Sequence, residues 1–294
     1  MAAPVRRVLV VDDESALAEL VAEYLTRIND SLTTEIATTG AEALSLVRED
    51  KFDCVVSDYN MPDMNGLELL SAIRDEPPSL PFILYTGRGS EEIASEAISA
   101  GVTDYVQKNS GRDHYEVLAK RVDNAISQRR TEVELRRTNE KIEALHQTAA
   151  EAATCTNSTE LCRLAVEAAE EILEFDLCDI SLRDGDRLAP EAVSKGVPSD
   201  GYYQATRLDD DESFAAQVYK SGESVRIDDL RDHDAAPAEP DYRSAMTIPI
   251  DGYGVFQAVS RDVEGFDDRD LELAELLLAH VAAALDRMGS EPLA

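Results

Sequence analysis

The sequence predicts a doubly wound α/β domain with a five-stranded parallel sheet, then a long helix, then an α+β domain with an antiparallel sheet. Its 294 residues are enough for two domains of ordinary size. Continuous apolar runs alternate with helical patterns over residues 1–125, which is typical of a parallel sheet covered by helices on both faces. The second half has short strands and a hairpin signal, Asp251-Gly252-Tyr253-Gly254, which favours antiparallel pairing.

The first domain is predicted to contain five strands and four helices. The strands are expected at 8–11, 32–37, 53–57, 81–85 and 103–106, and the helices at 17–28, 40–49, 67–74 and 91–100. Right-handed crossovers would bring the carboxyl ends of all five strands to one edge of the sheet. In open sheets of this kind, functional residues gather at that edge.

An unbroken helix is predicted from Gly111 to Ala153. Four apolar residues in its second part lie near heptad spacing, which makes this helix a candidate for a parallel homodimer contact: Leu135, Ile142, Leu145 and Ala149. The predicted domain bounds are 1–125 for the first domain, 126–150 for a helical linker, 151–288 for the second domain and 289–294 for a tail. The second domain is expected to have helices at 159–173, at 213–221 and from Asp267 or Asp268 onwards. Its strands are expected at 177–182, 188–194, 203–208, 224–227, 245–250 and 255–260.

The composition is strongly acidic, with a formal net charge of −32 from 60 acidic and 28 basic residues. Such a surface repels phosphate backbones and anionic lipid, so we expect no direct nucleic-acid or membrane binding. Excess acid with scarce lysine is typical of proteins from salt-loving archaea, although an acidic mesophilic protein is the alternative. We expect a cytoplasmic protein, because no signal peptide or long apolar run is visible. The cysteines, which lack C-x-x-C spacing, are expected to be reduced packing residues: Cys54, Cys155, Cys162 and Cys178.

Carboxylates follow two neighbouring strands of the predicted sheet. Asp58 comes after Cys54-Val55-Val56-Ser57, and Asp12-Asp13 follows Val10-Val11. Carboxylates that converge in this way need a cation, and oxygen ligands with room for water and phosphate suit Mg²⁺. The fourth strand ends at Thr86 with a hydroxyl, and Lys108 follows the fifth strand with an ammonium group that could contact a phosphate oxygen.

This set resembles the receiver domain of two-component response regulators, which has a flavodoxin-like fold. The residues that carry the resemblance are Asp12-Asp13, Asp58, Met61-Pro62, Gly66, Thr86-Gly87, Tyr105 and Lys108. The resemblance implies that Asp58 accepts a phosphoryl group from a histidine kinase, and that Thr86, Tyr105 and Lys108 form the switch. It also implies that Mg²⁺ is held by Asp12, Asp13, Asp58 and the backbone carbonyl of Asn60. One departure is Asn109, where the family usually has proline after the lysine.

Residues 150–288 resemble a GAF domain. The stretches that carry this resemblance are Leu145-His146 through 161–173, 213–225 with Lys220-Ser221-Gly222-Glu223, and 254–260 leading to Gly265-Phe266-Asp267-Asp268-Arg269-Asp270. No specialised ligand motif is visible in it, so the ligand is unknown. The four histidines have no companions at metal-binding spacing and no ATP-binding region follows them, so we expect neither metal sites nor kinase activity: His114, His146, His233 and His280.

Other interpretations compete with a phosphorylation-controlled signalling protein. Singly, Asp13 could cap a helix, Asp58 could form an Asx turn, Thr86 could merely end a strand, and Lys108 could be a surface residue. Their joint occurrence at successive strand ends favours the functional interpretation. An aspartate-nucleophile phosphatase would need a D-x-D motif, whereas this sequence reads Asp12-Asp13-Glu14. A small-molecule sensor with a secondary receiver is the third hypothesis. No basic helix-turn-helix region is visible, so we expect the output partner to be a downstream signalling protein.

The net charge of −32 predicts that the folded state is stabilised by salt. Self-repulsion among acidic side chains should weaken folding in dilute buffer, and molar KCl should screen it. Thermal melts across a KCl series should therefore show a rising Tm, whereas sucrose at matched osmolality should raise it much less. A Tm that does not depend on KCl would contradict the assignment to a salt-loving source.

Overall fold

The computed structural model describes residues 5–74, 80–87, 91–108, 113–196, 205–233 and 241–290. The chain divides into two compact units, residues 1–136 and 137–294, and this division falls within the predicted linker of 126–150.

The first unit is the predicted parallel α/β sheet. Its elements are β1 (Arg6–Val11), α1 (Ser15–Ile28), β2 (Leu32–Ala37), α2 (Gly40–Glu49), β3 (Cys54–Ser57), α3 (Gly66–Arg74), β4 (Phe82–Thr86), α4 (Glu91–Ser99), β5 (Asp104–Gln107) and the first part of α5 (Asp113–Ala152). The strand order is β2-β1-β3-β4-β5, and every pairing is parallel. The five-stranded doubly wound sheet is confirmed, with each strand end within two residues of its prediction.

Successive residues of β1 face opposite sides of the sheet, as the period of a strand requires. Val8 and Val10 lie in an apolar cluster with residues of α1 and α5, while Leu9 and Val11 lie in a second cluster with residues of α2 and α3. Helices therefore cover both faces, which explains why the strands read as continuous apolar runs.

Gly66, the first residue of α3, lets the chain after β3 turn back closely on itself. A Cβ at this position would lie 2.4 Å from the carbonyl oxygen of Asp58 and 2.7 Å from Cδ1 of Leu84. The Gly66 N–H donates to the carbonyl of Tyr59 at 2.9 Å. Only glycine fits this close approach, so the residue fixes the loop that carries Asp58.

Helix α5 contributes residues to the core of each unit. Leu118, Val122 and Ile126 belong to a cluster of the first unit, and Leu145 belongs to the large cluster of the second. None of the residues 127–141 is buried. The predicted start at Gly111 lies outside the described residues.

The predicted dimer seam of α5 is only partly available on the surface. Leu145 is completely buried within its own unit, and Ile142 packs against the same cluster. Leu135 is exposed. The heptad-like spacing therefore reflects, at least at Leu145 and Ile142, packing within the second unit rather than a free coiled-coil face.

The second unit is an antiparallel six-stranded sheet with flanking helices, as predicted. Its elements after α5 are α6 (Ser158–Ala168), a π-helical turn (Ala169–Leu173), β6 (Leu177–Asp184), β7 (Arg187–Val193), β8 (Thr206–Arg207), α7 (Phe214–Ser221), β9 (Val225–Ile227), a 3₁₀ turn (Leu230–Asp232), β10 (Ser244–Ile250), β11 (Gly254–Ser260) and α8 (Asp268–Ser290). The strand order is β8-β7-β6-β11-β10-β9. Of the strand predicted at 203–208, only Thr206–Arg207 is a strand among the described residues.

The start and the end of helix α8 can be compared with the predicted helix start and the predicted tail. Asp267 caps its start, because its carboxylate accepts from the N–H of Asp270 at 2.9 Å while the Asp270 carboxylate accepts from the N–H of Asp267 at 3.0 Å. The helix extends to Ser290, the last described residue, and so includes the first two residues of the predicted tail of 289–294.

The cysteines are free, and Cys54, Cys162 and Cys178 are buried. Burial raises the pKa of Cys162 and of Cys178 to about 12, so both thiols stay protonated and unreactive at neutral pH. The interpretation as packing residues fits these three positions. Within the described ranges, no helix combines the length and the apolar character needed to cross a membrane.

The sheet of the second unit contains a notable polar residue, a buried carboxyl group on β6. Asp179 of β6 is 3% exposed, and the Ser181 hydroxyl donates to its Oδ2 at 2.9 Å. Gln257 lies opposite Asp179 on β11, and Thr247 lies opposite Gln257 on β10, so the three residues form a polar row across one sheet face. Burial raises the pKa of Asp179 to about 7, against the weaker opposing effect of the Ser181 hydrogen bond.

Asp179 should make folding less favourable as pH rises. Its pKa is higher in the folded than in the unfolded chain, so the folded state holds the proton between about pH 4 and 7, and its stability falls across that range. Asp179→Asn removes this ionisation. Relative to wild type, the variant should gain on the order of 3 kcal/mol in free energy of unfolding between about pH 4 and pH 8. Urea unfolding at a series of pH values measures this difference.

The matched control is Asp184→Asn, which changes an exposed carboxylate at the end of the same strand. Its stability relative to wild type should be nearly independent of pH. A pH-independent difference for Asp179→Asn as well would show that Asp179 does not titrate abnormally.

Candidate functional site

The carboxyl ends of four strands in the first unit bring together the predicted site residues. Asp12 follows β1 and Asp58 follows β3, and these strands are neighbours, with Val11 opposite Ser57. Thr86 ends β4, and Lys108 follows β5. Backbone hydrogen bonds continue the sheet beyond the strand ends, from the Asp58 N–H to the Val11 carbonyl and from the Lys108 N–H to the Thr86 carbonyl, each at 2.8 Å.

The ammonium group of Lys108 bridges the two carboxylates at the centre of this edge. Its Nζ donates to Oδ2 of Asp12 and to Oδ1 of Asp58, each at 2.7 Å. Asp12 is 4% and Asp58 is 8% exposed. Burial alone would lower the pKa of Lys108, but the hydrogen bonds to the two carboxylates outweigh it and raise that pKa above its ordinary value. Lys108 is therefore charged and held in place, rather than the surface residue of the alternative interpretation.

The second oxygen of each carboxylate is held by the backbone. Oδ1 of Asp12 accepts from the Glu14 N–H at 3.0 Å, and Oδ2 of Asp58 accepts from the Asn60 N–H at 2.8 Å. Asp58 thus forms the Asx turn of the alternative interpretation and the ion pair with Lys108 at the same time. The carboxylate that contacts the start of α1 is Asp12 rather than Asp13.

The residues predicted to hold Mg²⁺ are placed unequally. Asp12 and Asp58 are buried and share Lys108, whereas Asp13 and Asn60 are exposed. Among the described residues, no group of three or more His, Cys, Asp and Glu side chains is arranged so that it could hold a metal ion.

Thr86 and Tyr105 lie on adjacent strands of the same sheet. Thr86 is completely buried. Tyr105 is half-buried, packs against the apolar cluster of Leu84 and Val11, and lies opposite Leu84 in the β4–β5 register. Burial raises the pKa of Tyr105, so its hydroxyl stays protonated. Asn109, the departure from the family pattern, lies outside the described residues.

Tyr85 is a site residue that the sequence reasoning missed. The Nζ of Lys108 lies 5.4 Å from the centroid of the Tyr85 ring, a cation–π distance. Its buried hydroxyl has no hydrogen-bond partner among the described residues, and burial raises its pKa. The sequence did contain a signal for Tyr85, because it directly precedes Thr86 at the end of a strand that was predicted to carry a site residue.

The histidines do not form a metal site in the described part of the chain. The His114 ring lies 4.0 Å from the Tyr115 ring between centroids, and the rings of His146 and His280 lie 6.1 Å apart. No metal group includes any of them among the described residues.

Each half of the chain matches a known protein-family model. A model described as the response regulator receiver domain matches residues 8–120, and a model described as a GAF domain matches residues 155–286. A solved structure of the GAF domain from a phosphoenolpyruvate-protein phosphotransferase of Coxiella burnetii covers 51% of this chain and 95% of that chain, with 20% identity and a TM-score of 0.45.

Two curated relatives match the first unit. The probable transcriptional regulatory protein TcrX of Mycobacterium tuberculosis is 42% identical over 101 residues, which are 34% of this chain and 42% of TcrX. This chain therefore spans less than half the length of TcrX. Chemotaxis protein CheY-3 of Vibrio cholerae is 38% identical over 104 residues, which are 35% of this chain and 79% of CheY-3. Because most of CheY-3 is covered at this identity, the chain belongs to the response regulator receiver family.

Proposed function

We propose that this protein is a phosphorelay response regulator in which Asp58 accepts a phosphoryl group from a histidine kinase. The observation that carries the proposal is the buried ion-pair bridge, with Lys108 Nζ 2.7 Å from both Asp58 and Asp12. Membership of the receiver family implies a histidine kinase partner in general. No kinase activity of the chain itself is proposed.

The transfer is an in-line displacement at phosphorus. The bond between phosphorus and the kinase's histidine nitrogen breaks while a bond to a carboxylate oxygen of Asp58 forms. Asp58 is suited to this role because its Asx turn and its ion pair with Lys108 fix the carboxylate in one orientation. The Lys108 ammonium and the Thr86 hydroxyl are the groups we assign to the phosphoryl oxygens.

The proposal includes a divalent cation at this edge of the sheet, which the two buried carboxylates Asp12 and Asp58 would hold. Asp12 and Asp58 contribute two negative charges and Lys108 one positive charge, which leaves one net negative charge at a largely buried position. Exposed Asp13 and the carbonyl of Asn60 would complete an oxygen set that leaves room for water, as Mg²⁺ requires. When bound, the ion would neutralise charge on the phosphoryl oxygens.

The switch would operate through Thr86 and Tyr105. A phosphoryl group on Asp58 adds charge and acceptor oxygens, which can draw Lys108 away from Asp12 and attract the Thr86 hydroxyl. Tyr105 is half-buried and borders the same apolar cluster as Leu84, so it can gain contacts where Thr86 yields space. This change would alter the surface formed by α4, β5 and α5.

Helix α5 is the proposed route from the receiver to the GAF domain. It supplies Leu118 and Val122 to one core and Leu145 to the other, so it is a structural part of each unit. The output would be a change in how the GAF domain meets a downstream signalling protein. Leu135 and Val133 are the exposed apolar residues of α5 between the two cores that a homodimer could use.

The cellular setting is proposed from composition. The net charge of −32 favours a cytoplasmic protein of a salt-loving archaeon that binds neither nucleic acid nor membranes directly.

A second candidate function is small-molecule sensing by the GAF domain. Its support is Asp179, since a buried carboxyl group with a single hydroxyl partner among the described residues is costly unless another group compensates it. In this case phosphorylation of the receiver would be a secondary input.

Phosphorylation should occur at Asp58 and require Mg²⁺. Acetyl phosphate should add one phosphoryl group to the wild-type protein, as measured by intact mass, and none to Asp58→Asn. EDTA should abolish the addition in wild type, because the charge on the phosphoryl group is then not neutralised.

The matched control is Asp63→Asn, which changes an exposed carboxylate in the loop after Asp58 and should be labelled like wild type. Labelling that persists in Asp58→Asn would show that the acceptor lies elsewhere. Unlabelled wild-type protein in the presence of Mg²⁺ would contradict the proposed function itself.

The relay through α5 predicts a long-range change in hydrogen exchange. Beryllofluoride, which mimics the phosphoryl group, should alter amide protection beyond Val122 towards Leu145 in wild type. The change should shrink in Thr86→Ala, which lacks the proposed hydroxyl contact, and should be absent in Asp58→Asn. Changes that stop before residue 127 in wild type would show that the helix is only a spacer.

A further inference from the structure

A groove on the first unit lies at the opposite edge of the sheet from Asp58. It has a volume of about 340 Å³ and is lined by Arg74 at the end of α3, by Pro81 and Thr103 just before β4 and β5, and by Gln128, Arg129 and Glu132 of α5. Ligand pockets begin at about 300 Å³, so the groove can hold a small molecule or part of one.

Two arginines of this groove have no carboxylate partner among the described residues. Arg74 donates to the carbonyls of Leu80 and Gly101, at 3.0 and 3.2 Å, and to no carboxylate in the described ranges. Arg129 is half-buried, and its guanidinium makes no hydrogen bond or ion pair with any described residue.

Two other arginines of α5 do have carboxylate partners. Arg130 pairs with Asp53 at 3.1 Å, and Arg121 pairs with Asp104 at 3.0 Å. Arg129 thus differs from these two neighbours, because its guanidinium has no carboxylate partner among the described residues. A guanidinium group that is free to bind can form charge-assisted hydrogen bonds with an anion.

The positive charges of Arg74 and Arg129 also affect each other. The pKa of Arg74 is lowered, first by burial and then by the positive charge of Arg129. Glu132 also lines the groove and accepts a hydrogen bond from the Gln128 amide at 2.8 Å. The described lining residues, with two arginines and one glutamate, therefore carry one net positive charge. Like charges held this close favour an anion between them.

We propose that this groove binds a small molecule through an oxyanion group, a phosphate or a carboxylate, held by Arg74 and Arg129. Each planar guanidinium group can donate two parallel N–H groups to the paired oxygens of a phosphate or a carboxylate. A spherical halide fits this pair of donors less well. Glu132 on the adjacent wall would accept from a hydroxyl or amine elsewhere on the ligand. The bound molecule would join the end of α3 and the sheet edge to α5, and so offers the receiver a second input that does not depend on phosphorylation of Asp58.

Isothermal titration of the full chain tests this proposal with two probes, inorganic phosphate and succinate. The buffer contains constant KCl, so chloride competes throughout, and EDTA, so that no divalent cation assists binding at Asp58. At least one probe should bind saturably with a stoichiometry of one, and the stronger probe identifies the oxyanion class. Arg129→Gln should weaken that binding at least tenfold, since a charge-assisted hydrogen bond to the ligand is lost.

The matched control is Arg121→Gln, which removes the same charge from the same helix outside the groove and should keep wild-type affinity. Arg129 has no partner among the described residues, so a thermal melt of Arg129→Gln should match wild type and show that the fold is intact. Absence of saturable binding by both probes would overturn the proposal. An equal loss of affinity in both variants would also overturn it, because the attraction would then come from overall charge rather than from the groove.

Discussion

The ion-pair bridge of Lys108 is the interaction on which the arrangement of the site depends. Asp12 and Asp58 are both buried, and two such carboxylates repel each other unless a cation lies between them. One ammonium group at 2.7 Å from each carboxylate supplies that charge and joins the ends of β1, β3 and β5. Removing one partner from a buried pair costs about 3–5 kcal/mol, so this contact holds the sheet edge in a defined geometry.

The same contact matters for the proposed function. Lys108 is shared between two carboxylates, so a phosphoryl group on Asp58 would change the balance between them. Gly66 fixes the backbone beside Asp58, because any side chain there would collide with the Asp58 carbonyl. In the proposed switch, the position of Asp58 is therefore set by the backbone, whereas the ammonium group of Lys108 is held by its ion pairs and could be redirected.

The sequence was informative wherever regular geometry links residue order to position. The carboxyl ends of parallel strands must meet at one edge, so the sequence alone predicts that Asp12, Asp58, Thr86 and Lys108 lie together. Sequence could not show that Lys108 bridges Asp12 and Asp58, because this depends on side-chain torsions.

Long-range packing accounts for the other differences. Heptad-like spacing made Leu145 a candidate dimer contact, because the spacing of apolar residues along a helix does not show which other surface will cover them. The groove with Arg74 and Arg129 joins three distant parts of the chain, and no local pattern records such proximity. Asp179 did leave a signal, a charged residue in the apolar run Leu177–Leu182, but its burial depends on what covers that face of the sheet.

None of the fifteen residues 127–141 of α5 is buried, and this affects how easily a protease can cut the chain there. A helix without an apolar face resting on a core is held by side-chain pairs such as Gln128 with Glu132, and each pair contributes only a few tenths of a kcal/mol. Local opening there costs far less than unfolding either unit. This stretch is also rich in arginine, so a trypsin-like protease that reached it would cut the chain between the cores of the two units.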